Sequence, residues 1–362
     1  MSTNWETADV LEAPMEIAWQ FDYAISIDKL RNLYSKAKRL QWDAERDLDW
    51  DVELDAGKPI IDEGRFAYDR IPFLKKLSET QRETFRAHVA AHALSQFLHG
   101  EQGALMTAAA LTHAVPDYEA KLYAATQTMD EARHVEAYER YVAKLAIVYP
   151  LAPWLKDLID RTLTADHWVK TAIGMNMVIE SLALGAFHNM MRATRCDLLR
   201  SITALVLRDE ARHVAYGNVY VGETIKNLHP DEREDIADFA FTAIKQTAEA
   251  TGGARGDGPR QRDPGFLRVL ENSGIDPRDF LLGMREAGSE GVRAEAPPGQ
   301  VHSFKDLMMP ALVRVGAVTP RTRKQFLDAG IPVYEDASVL ESMEDGATGD
   351  IDFSEAAREF ES

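Results

Sequence analysis

The chain has 362 residues, 45% of them hydrophobic, with 41 basic against 59 acidic side chains and a net charge of −18. That length allows one large core, or one core with a small appendage, and the charge repels phosphate backbones and anionic membrane surfaces, which argues against nucleic acid as a partner. The single cysteine, Cys196, excludes an internal disulfide, a cysteine-based zinc site and an iron–sulfur cluster; it fits a reducing cytoplasm and leaves metal chemistry to Glu, Asp and His.

Met1 to Ala18 is acidic and lacks a basic n-region, and no run of about 18 uncharged apolar residues occurs. Neither a signal peptide nor a membrane span is expected. Helical spacing of apolar residues begins at Ile25 and leads into the acidic, aromatic stretch Gln41 to Trp50, which reads as a helix plus an arm lying on the body. A long helix is predicted from Thr80, with Glu83 completing a capping box, to His113. The next starts at Pro116-Asp117 and runs to Val148. Pro150 and Pro153 break the pattern, a short amphipathic piece spans Trp154 to Leu163, and two further long helices occupy Ala165 to Arg192 and Asp197 to Leu228. A fifth covers Asp231 to Ala250. Gly252 to Gly265 reads as a linker, followed by short helices and an acidic tail. The expected class is therefore all-α, with residues 1–79 packing on a bundle of residues 80–250 and residues 251–362 forming an extension.

One internal repeat carries the chemistry. Asp130-Glu131-Ala132-Arg133-His134-Val135 recurs residue for residue as Asp209-Glu210-Ala211-Arg212-His213-Val214, an offset of 79 positions that also carries Glu101 onto Glu180. Each half thus has one Glu followed 30 positions later by Glu-x-x-His. The midpoint of Glu101 and Glu131 is Pro116, inside a predicted turn, and that of Glu180 and Glu210 is Arg195, inside another. Antiparallel helices rising about 1.5 Å per residue then bring each pair of carboxylates level. Within Glu-x-x-His, residues three apart share a helix face and converge on one ion.

Four carboxylates at the centre of a bundle are costly unless compensated. Two divalent ions compensate them completely, and carboxylate with imidazole suits iron or manganese. Glu101, Glu131, His134, Glu180, Glu210 and His213 are accordingly the candidate ligands, the set found in di-iron and di-manganese carboxylate bundles. Asp130 and Asp209 are placed to back the histidine of the partner helix, with Arg133 and Arg212 tying them down. Tyr138, one turn past His134, is either redox-active or an aromatic filling the gap left by its repeat counterpart Gly217. Gln127 against Val206 is a second asymmetry. His88, His92, His99 and His188 have no carboxylates at matching spacing and read as packing or surface residues. Gly100, Gly103 and Gly185 lie near the ligands and are expected to leave a cavity for a substrate or for oxygen.

From Thr80 to Leu228 the Asp-Glu-Ala-Arg-His pattern resembles the ferritin-like superfamily branch that includes ribonucleotide reductase small subunits, R2-like ligand-binding oxidases, bacterial multicomponent monooxygenase hydroxylases and the p-aminobenzoate N-oxygenase. The Gln41-Trp42 to Asp49-Trp50 arm is similar to a pre-bundle segment in some of these oxidases. The resemblance implies a ferritin-like four-helix bundle with Glu101, Glu131 and His134 on one iron and Glu180, Glu210 and His213 on the other, and dioxygen as co-substrate. The N-oxygenase has an extra His one turn before its last Glu-x-x-His, where this chain has Val206, so no seventh ligand is expected. Ribonucleotide reductase small subunits share a tyrosine at the place of Tyr138 but usually have wider spacing in the second pair.

The expected function is a non-haem diiron oxygenase or oxidase, Fe/Fe or Mn/Fe, that hydroxylates, desaturates or N-oxygenates a small or lipid-like organic substrate. Electrons must come from an external donor, since neither a dinucleotide fingerprint nor iron–sulfur cysteines occur. A homodimer in the cytoplasm is the expected form. A radical-storing subunit, with its radical on Tyr138, and an iron-storing or peroxide-scavenging protein are the alternatives.

Overall fold

The computed structural model describes residues 9–251, apart from 53, 55–59, 62–67 and 69–70, together with residues 263–289 and 299–348. Among them there is no β-strand, only an isolated bridge between Ile61 and Thr194. The class is all-α, and the architecture is a helical bundle. No helix among the described residues is long and apolar enough to cross a membrane.

Helix α1 (Asp28–Arg39) buries Leu30, Leu33 and Ala37 on one face and leads into the arm, whose Trp42, Leu48 and Trp50 are buried on the body. Helix α2 (Glu79–Ala114) starts at Ser78, whose hydroxyl accepts from the backbone of Gln81 while the Gln81 side chain caps the Ser78 amide. The capping box therefore lies two residues earlier than Thr80 and Glu83, because Ser78 follows the extended Leu77 and can adopt the non-helical geometry a cap requires. The chain turns at Val115 to Asp117 into α3 (Tyr118–Leu145), antiparallel to α2.

After α4 (Pro153–Leu163) the expected third long helix is divided: α5 (Trp168–Ala172), a π-helix (Ile173–Ile179) and α6 (Glu180–Ala193). Helix α7 (Asp197–Asn227) returns antiparallel to α6, and α8 (Pro230–Thr251) packs outside. Helices α2, α3, α6 and α7 enclose one core.

The C-terminal part adds α9 (Pro264–Asn272), α10 (Pro277–Ser289), a π-turn (Ser303–Met308) running into α11 (Met309–Val315), α12 (Pro320–Asp328) and α13 (Ser338–Thr348). Helices α9 and α10 form a second apolar cluster with Phe85, Tyr149, Phe266 and Phe280. Three histidines of α2 belong to this packing. His88 Nδ1 pairs with the Tyr149 hydroxyl at 2.8 Å, His99 Nε2 with the Tyr149 carbonyl at 2.8 Å, and His92 with Asp263 at 3.0 Å. Asp263 is a carboxylate partner that spacing on α2 alone does not reveal. The expected linker of residues 252–262 and the acidic tail beyond 348 lie outside the described residues.

Candidate metal centre

The α2–α3 turn brings Glu101 and Glu131 level, and the α6–α7 turn does the same for Glu180 and Glu210. The four carboxylates meet the imidazoles of His134 and His213 midway along the bundle, all six at most 4% exposed. His134 Nδ1 lies 3.1 Å from Glu101, 3.1 Å from Glu131 and 3.2 Å from Glu210. His213 Nδ1 lies 3.1 Å from Glu131 and 3.6 Å from Glu210. Two overlapping groups result: Glu101, Glu131, His134 and Glu210, and Glu131, Glu180 and His213, each with its donor atoms within 4.8 Å of one another.

The remote imidazole nitrogens are held crosswise. His134 Nε2 is 3.3 Å from Asp209, and His213 Nε2 is 3.3 Å from Asp130, so each histidine is backed by the aspartate of the other repeat. Arg133 and Arg212 each donate to the aspartate three positions before them and reach the other, at 3.3 and 3.4 Å. Consecutive residues of the arm complete the frame: Gln41 donates to Asp130 at 3.0 Å and Trp42 to Asp209 at 2.7 Å. The indole of Trp42 also lies nearly parallel to the His134 ring, with centroids 6.2 Å apart. Sequence spacing gave no sign of these arm contacts.

With two arginines matched to two aspartates, four glutamates remain, and charge balance calls for two divalent cations. No donor is aligned for a hydrogen bond on either buried carboxylate oxygen of Glu210, although His134 Nδ1 stands 3.2 Å and His213 Nδ1 3.6 Å away. Orphaned acceptors of this kind are expensive unless something cationic satisfies them. Without metal the cluster retains protons instead. Burial, then the neighbouring Glu210, pushes the Glu101 carboxyl well above its usual range, and burial does the same for Glu180. Burial opposes charge on His134 and His213, but the facing carboxylates outweigh it and hold both imidazoles well above 6.5. Burial likewise works against ionisation of Glu131, yet His213 and His134 keep its carboxyl below the ordinary range. Hard oxygens, two imidazoles and this charge fit a pair of divalent first-row metals.

The two repeats surround the ligands differently. Gln127 donates to Glu180 at 2.6 Å and Glu131 at 3.2 Å, and Asn176 donates to Glu180 at 3.0 Å and to Gln127 at 3.1 Å. Asn176 sits in the π-helix, four residues before Glu180. Its Cβ stands 2.6 Å from where a Cβ on Gly217 would be. The space left by Gly217 is therefore filled by Asn176 and not by an aromatic.

The 79-residue offset carries Gln127, Asn176 and Gly217 onto Val206, Phe97 and Tyr138. No amide holds Glu101 or Glu210 there. Tyr138 stacks on Phe187 at 5.7 Å and meets Phe97 edge-on at 6.0 Å. Burial pushes its phenol well above 10, and its hydroxyl faces that of Thr203. Of the glycines expected to leave space, Gly103 is packed by Ile159 and Gly185 by Ser303, so neither opens a cavity; only Gly100 has nothing against it. A cavity of about 520 Å³ does exist, lined by Lys29, Lys36, Asn218, Gly222 and Arg314. It lies across α7 from the carboxylates, since Ala215, Asn218 and Gly222 face it while Glu210, His213 and Gly217 face the centre.

A helical bundle closing over a buried cluster of carboxylates and imidazoles suited to two metals defines the class of helical dimetal-carboxylate proteins. The sequence pattern of the P-aminobenzoate N-oxygenase AurF family matches residues 26–251, and the chain belongs to that family. It is a non-haem diiron oxygenase or oxidase. Among solved structures the chain is similar to the R2-like ligand-binding oxidase from Sulfolobus acidocaldarius, at 20% identity over 74% of this chain and 92% of that one, with a TM-score of 0.40. An R2-like ligand-binding oxidase with an aerobically reconstituted Mn/Fe cofactor aligns at 17% identity over 85% of this chain and 94% of that one, TM-score 0.42. No curated protein sequence matches.

Proposed function

We propose that this chain N-oxygenates a small aromatic amine, with Glu101, Glu131, His134 and Glu210 around one iron and Glu131, Glu180, Glu210 and His213 around the other. The observation that carries the reading is the convergence of these six buried side chains in a chain of the N-oxygenase family. Irons bound there supply dioxygen binding and its reduction. The net conversion is R–NH2 + O2 + 2 electrons + 2 protons to R–NHOH + H2O, and an external reductant provides the electrons.

The protein's own residues position and insulate. Asp130 and Asp209 fix the tautomer and tilt of His213 and His134 by accepting from Nε2, leaving Nδ1 toward the metals. Gln127 and Asn176 tie Glu180 and close its side of the centre. The opposite side, where Phe97, Tyr138 and Val206 leave Glu101 and Glu210 untied, is the direction from which a flat apolar substrate approaches. Tyr138 and Thr203, their hydroxyls facing each other, line that side. The lone Cys196 suits a reducing cytoplasm.

The test is anaerobic loading with Fe(II), then oxygen, a reductant and p-aminobenzoate or a neutral aniline, with products read by mass spectrometry. The expected outcome is two irons per chain and a gain of one oxygen on nitrogen. Fewer than two metals defeats the ligand assignment; two metals with oxygen uptake and no N-oxygenated arene defeats the substrate class.

A further inference from the structure

A file of aromatic rings leads from the carboxylate cluster toward the surface on one side of the bundle. Tyr123 stands on α3 one turn before Gln127, the residue that ties Glu180 and Glu131. Its ring stacks on Tyr216 with centroids 4.6 Å apart and planes 19° from parallel. Tyr216 is three positions past His213 on α7, one turn along the same face. Tyr220 follows at 5.7 Å, and Trp168 at the start of α5 stacks on Tyr220 at 4.6 Å and 20°. The three tyrosines are at most 1% exposed, whereas Trp168 is half-buried at the outer end.

Packing alone does not demand this file. By the 79-residue offset the counterparts of Tyr123, Tyr216 and Trp168 are Ile202, Ala137 and Val89, and only Tyr220 has an aromatic counterpart, Tyr141. The other side of the bundle thus closes on aliphatic side chains at the equivalent places. The rings also leave from the side that Gln127 and Asn176 close, away from Phe97, Tyr138 and Val206.

The three hydroxyls differ in where a proton can go. That of Tyr123 is buried with no hydrogen-bond partner among the described residues, and that of Tyr216 donates to the Ala120 carbonyl at 3.4 Å. Tyr220 donates to Asp117 Oδ2 at 2.7 Å, and Asp117 is half-buried at the α2–α3 turn. A phenol yields an electron readily only when a base takes its proton, because the protonated radical cation is a very strong acid. A carbonyl is a poor base and a carboxylate a good one. Of the three rings Tyr220 can therefore hold an oxidising equivalent, while Tyr123 and Tyr216 pass it on. Burial pushes all three phenols above 10, so each starts as the neutral phenol.

We infer that Tyr123, Tyr216, Tyr220 and Trp168 form a relay that carries oxidising equivalents from the metal centre to the surface, with Asp117 as proton acceptor; this rests on the diiron reading above. Dioxygen takes up four electrons and four protons to become two waters. Ferrous ions supply two of the electrons, and the amine supplies the other two when it is oxygenated. With no amine in place, the second pair has to come from the protein. In each step Tyr220–OH and the Asp117 carboxylate become Tyr220–O• and Asp117–COOH, and one electron passes through Tyr216 and Tyr123 to the centre. A one-electron reductant in solution, such as ascorbate, returns an electron through Trp168, and the proton goes back from Asp117 to the phenol. Oxidising power left over from dioxygen is thereby led away from the buried ligands.

The first measurement is electron paramagnetic resonance of the Fe(II)-loaded full chain, mixed with dioxygen in the absence of amine and freeze-quenched. A tyrosyl signal is expected that is lost in Tyr220→Phe, kept in Tyr138→Phe, and reduced by ascorbate more slowly in Trp168→Phe than in the parent. Tyr216→Phe keeps a stacked ring and Asp117→Asn keeps a polar partner; each should lose most of the signal while bound iron and helical content stay as in the parent. The second measurement needs no redox metal. Zinc-treated full chain is flash-oxidised with ruthenium tris-bipyridine and persulfate, and tyrosyl absorption should rise as tryptophanyl absorption decays, with the tyrosyl yield falling in Trp168→Phe and in Tyr220→Phe. A tyrosyl signal that survives Tyr220→Phe overturns the inference, as does dioxygen uptake by the iron-loaded chain with no tyrosyl radical. A chain that binds no iron defeats the metal assignment instead, and the photo-oxidation then decides the relay: equal tyrosyl yields in parent, Trp168→Phe and Tyr220→Phe overturn it.

Discussion

The indole nitrogen of Trp42 donates to Asp209 at 2.7 Å although 167 positions separate the two residues. Through Asp209, which lies 3.3 Å from His134 Nε2, a residue of the pre-bundle arm bears on a proposed metal ligand. Trp42→Phe keeps the ring and removes the donor. Metal affinity should fall about 10-fold, at the low end for lost outer partners, because Arg133 and Arg212 still hold Asp209. Competition titration with a chromophoric chelator measures it, and unchanged affinity would separate the arm from the centre.

Glu131 belongs to both candidate groups and Glu101 to one. Glu131→Ala should therefore reduce bound iron to nearly none, while Glu101→Ala retains about one ion per chain, held by the His213 group. Elemental analysis after desalting distinguishes them. Equal losses in the two variants would mean the ions bind only as a pair.

Arg212 is fully buried and donates to Asp209. Arg212→Met preserves much of the volume but leaves Asp130 and Asp209 sharing Arg133, with Arg208 3.9 Å from Asp209. Removing one partner of a buried ion pair costs about 3–5 kcal/mol, so urea denaturation of the metal-free variant should show a loss of that size. A loss below about 1 kcal/mol would mean that the aspartates take up protons instead.

Metal removal makes stability depend on pH in a definite direction. In the metal-free fold Glu101 and Glu180 hold protons well above 4.5, and His134 and His213 well above 6.5. Raised folded values mean that the native state binds more protons than the unfolded chain, so stability falls as pH rises. The contribution of the histidines is complete below about 6.5 and is lost above it, as pH climbs through their raised values; the lowered Glu131 is already ionised in both states there. Melting temperatures of metal-free protein should drop from pH 6.5 to 9, whereas those of metal-loaded protein should not, since metal displaces the protons. Parallel curves would contradict the proton-retaining cluster.

Much of the bundle was legible because its signals are local. Helical periodicity, Pro116 and Pro153 marked the long elements, and the repeated Asp-Glu-Ala-Arg-His with its upstream Glu named the candidate ligands by spacing alone. The π-helix before Glu180 was not legible, because Ile173 to Ile179 reads as ordinary apolar helix. Its widened turn carries Asn176, which occupies the space left by Gly217, a residue 41 positions away.

Taken alone, the sequence determined an all-α chain with a duplicated Glu and Glu-x-x-His unit, since helix rise and turn position depend only on residues close in the chain. The sequence also showed that the units differ at Tyr138 and Gly217 and at Gln127 and Val206, and only the tertiary structure decided what those differences do. Trp42 and Gln41 reach the aspartates, Gln127 and Asn176 tie Glu180, and Phe97, Tyr138 and Val206 leave Glu101 and Glu210 open. These are contacts between helices far apart in sequence, and their geometry follows from how side-chain volumes fill the core, which no spacing within a single helix records.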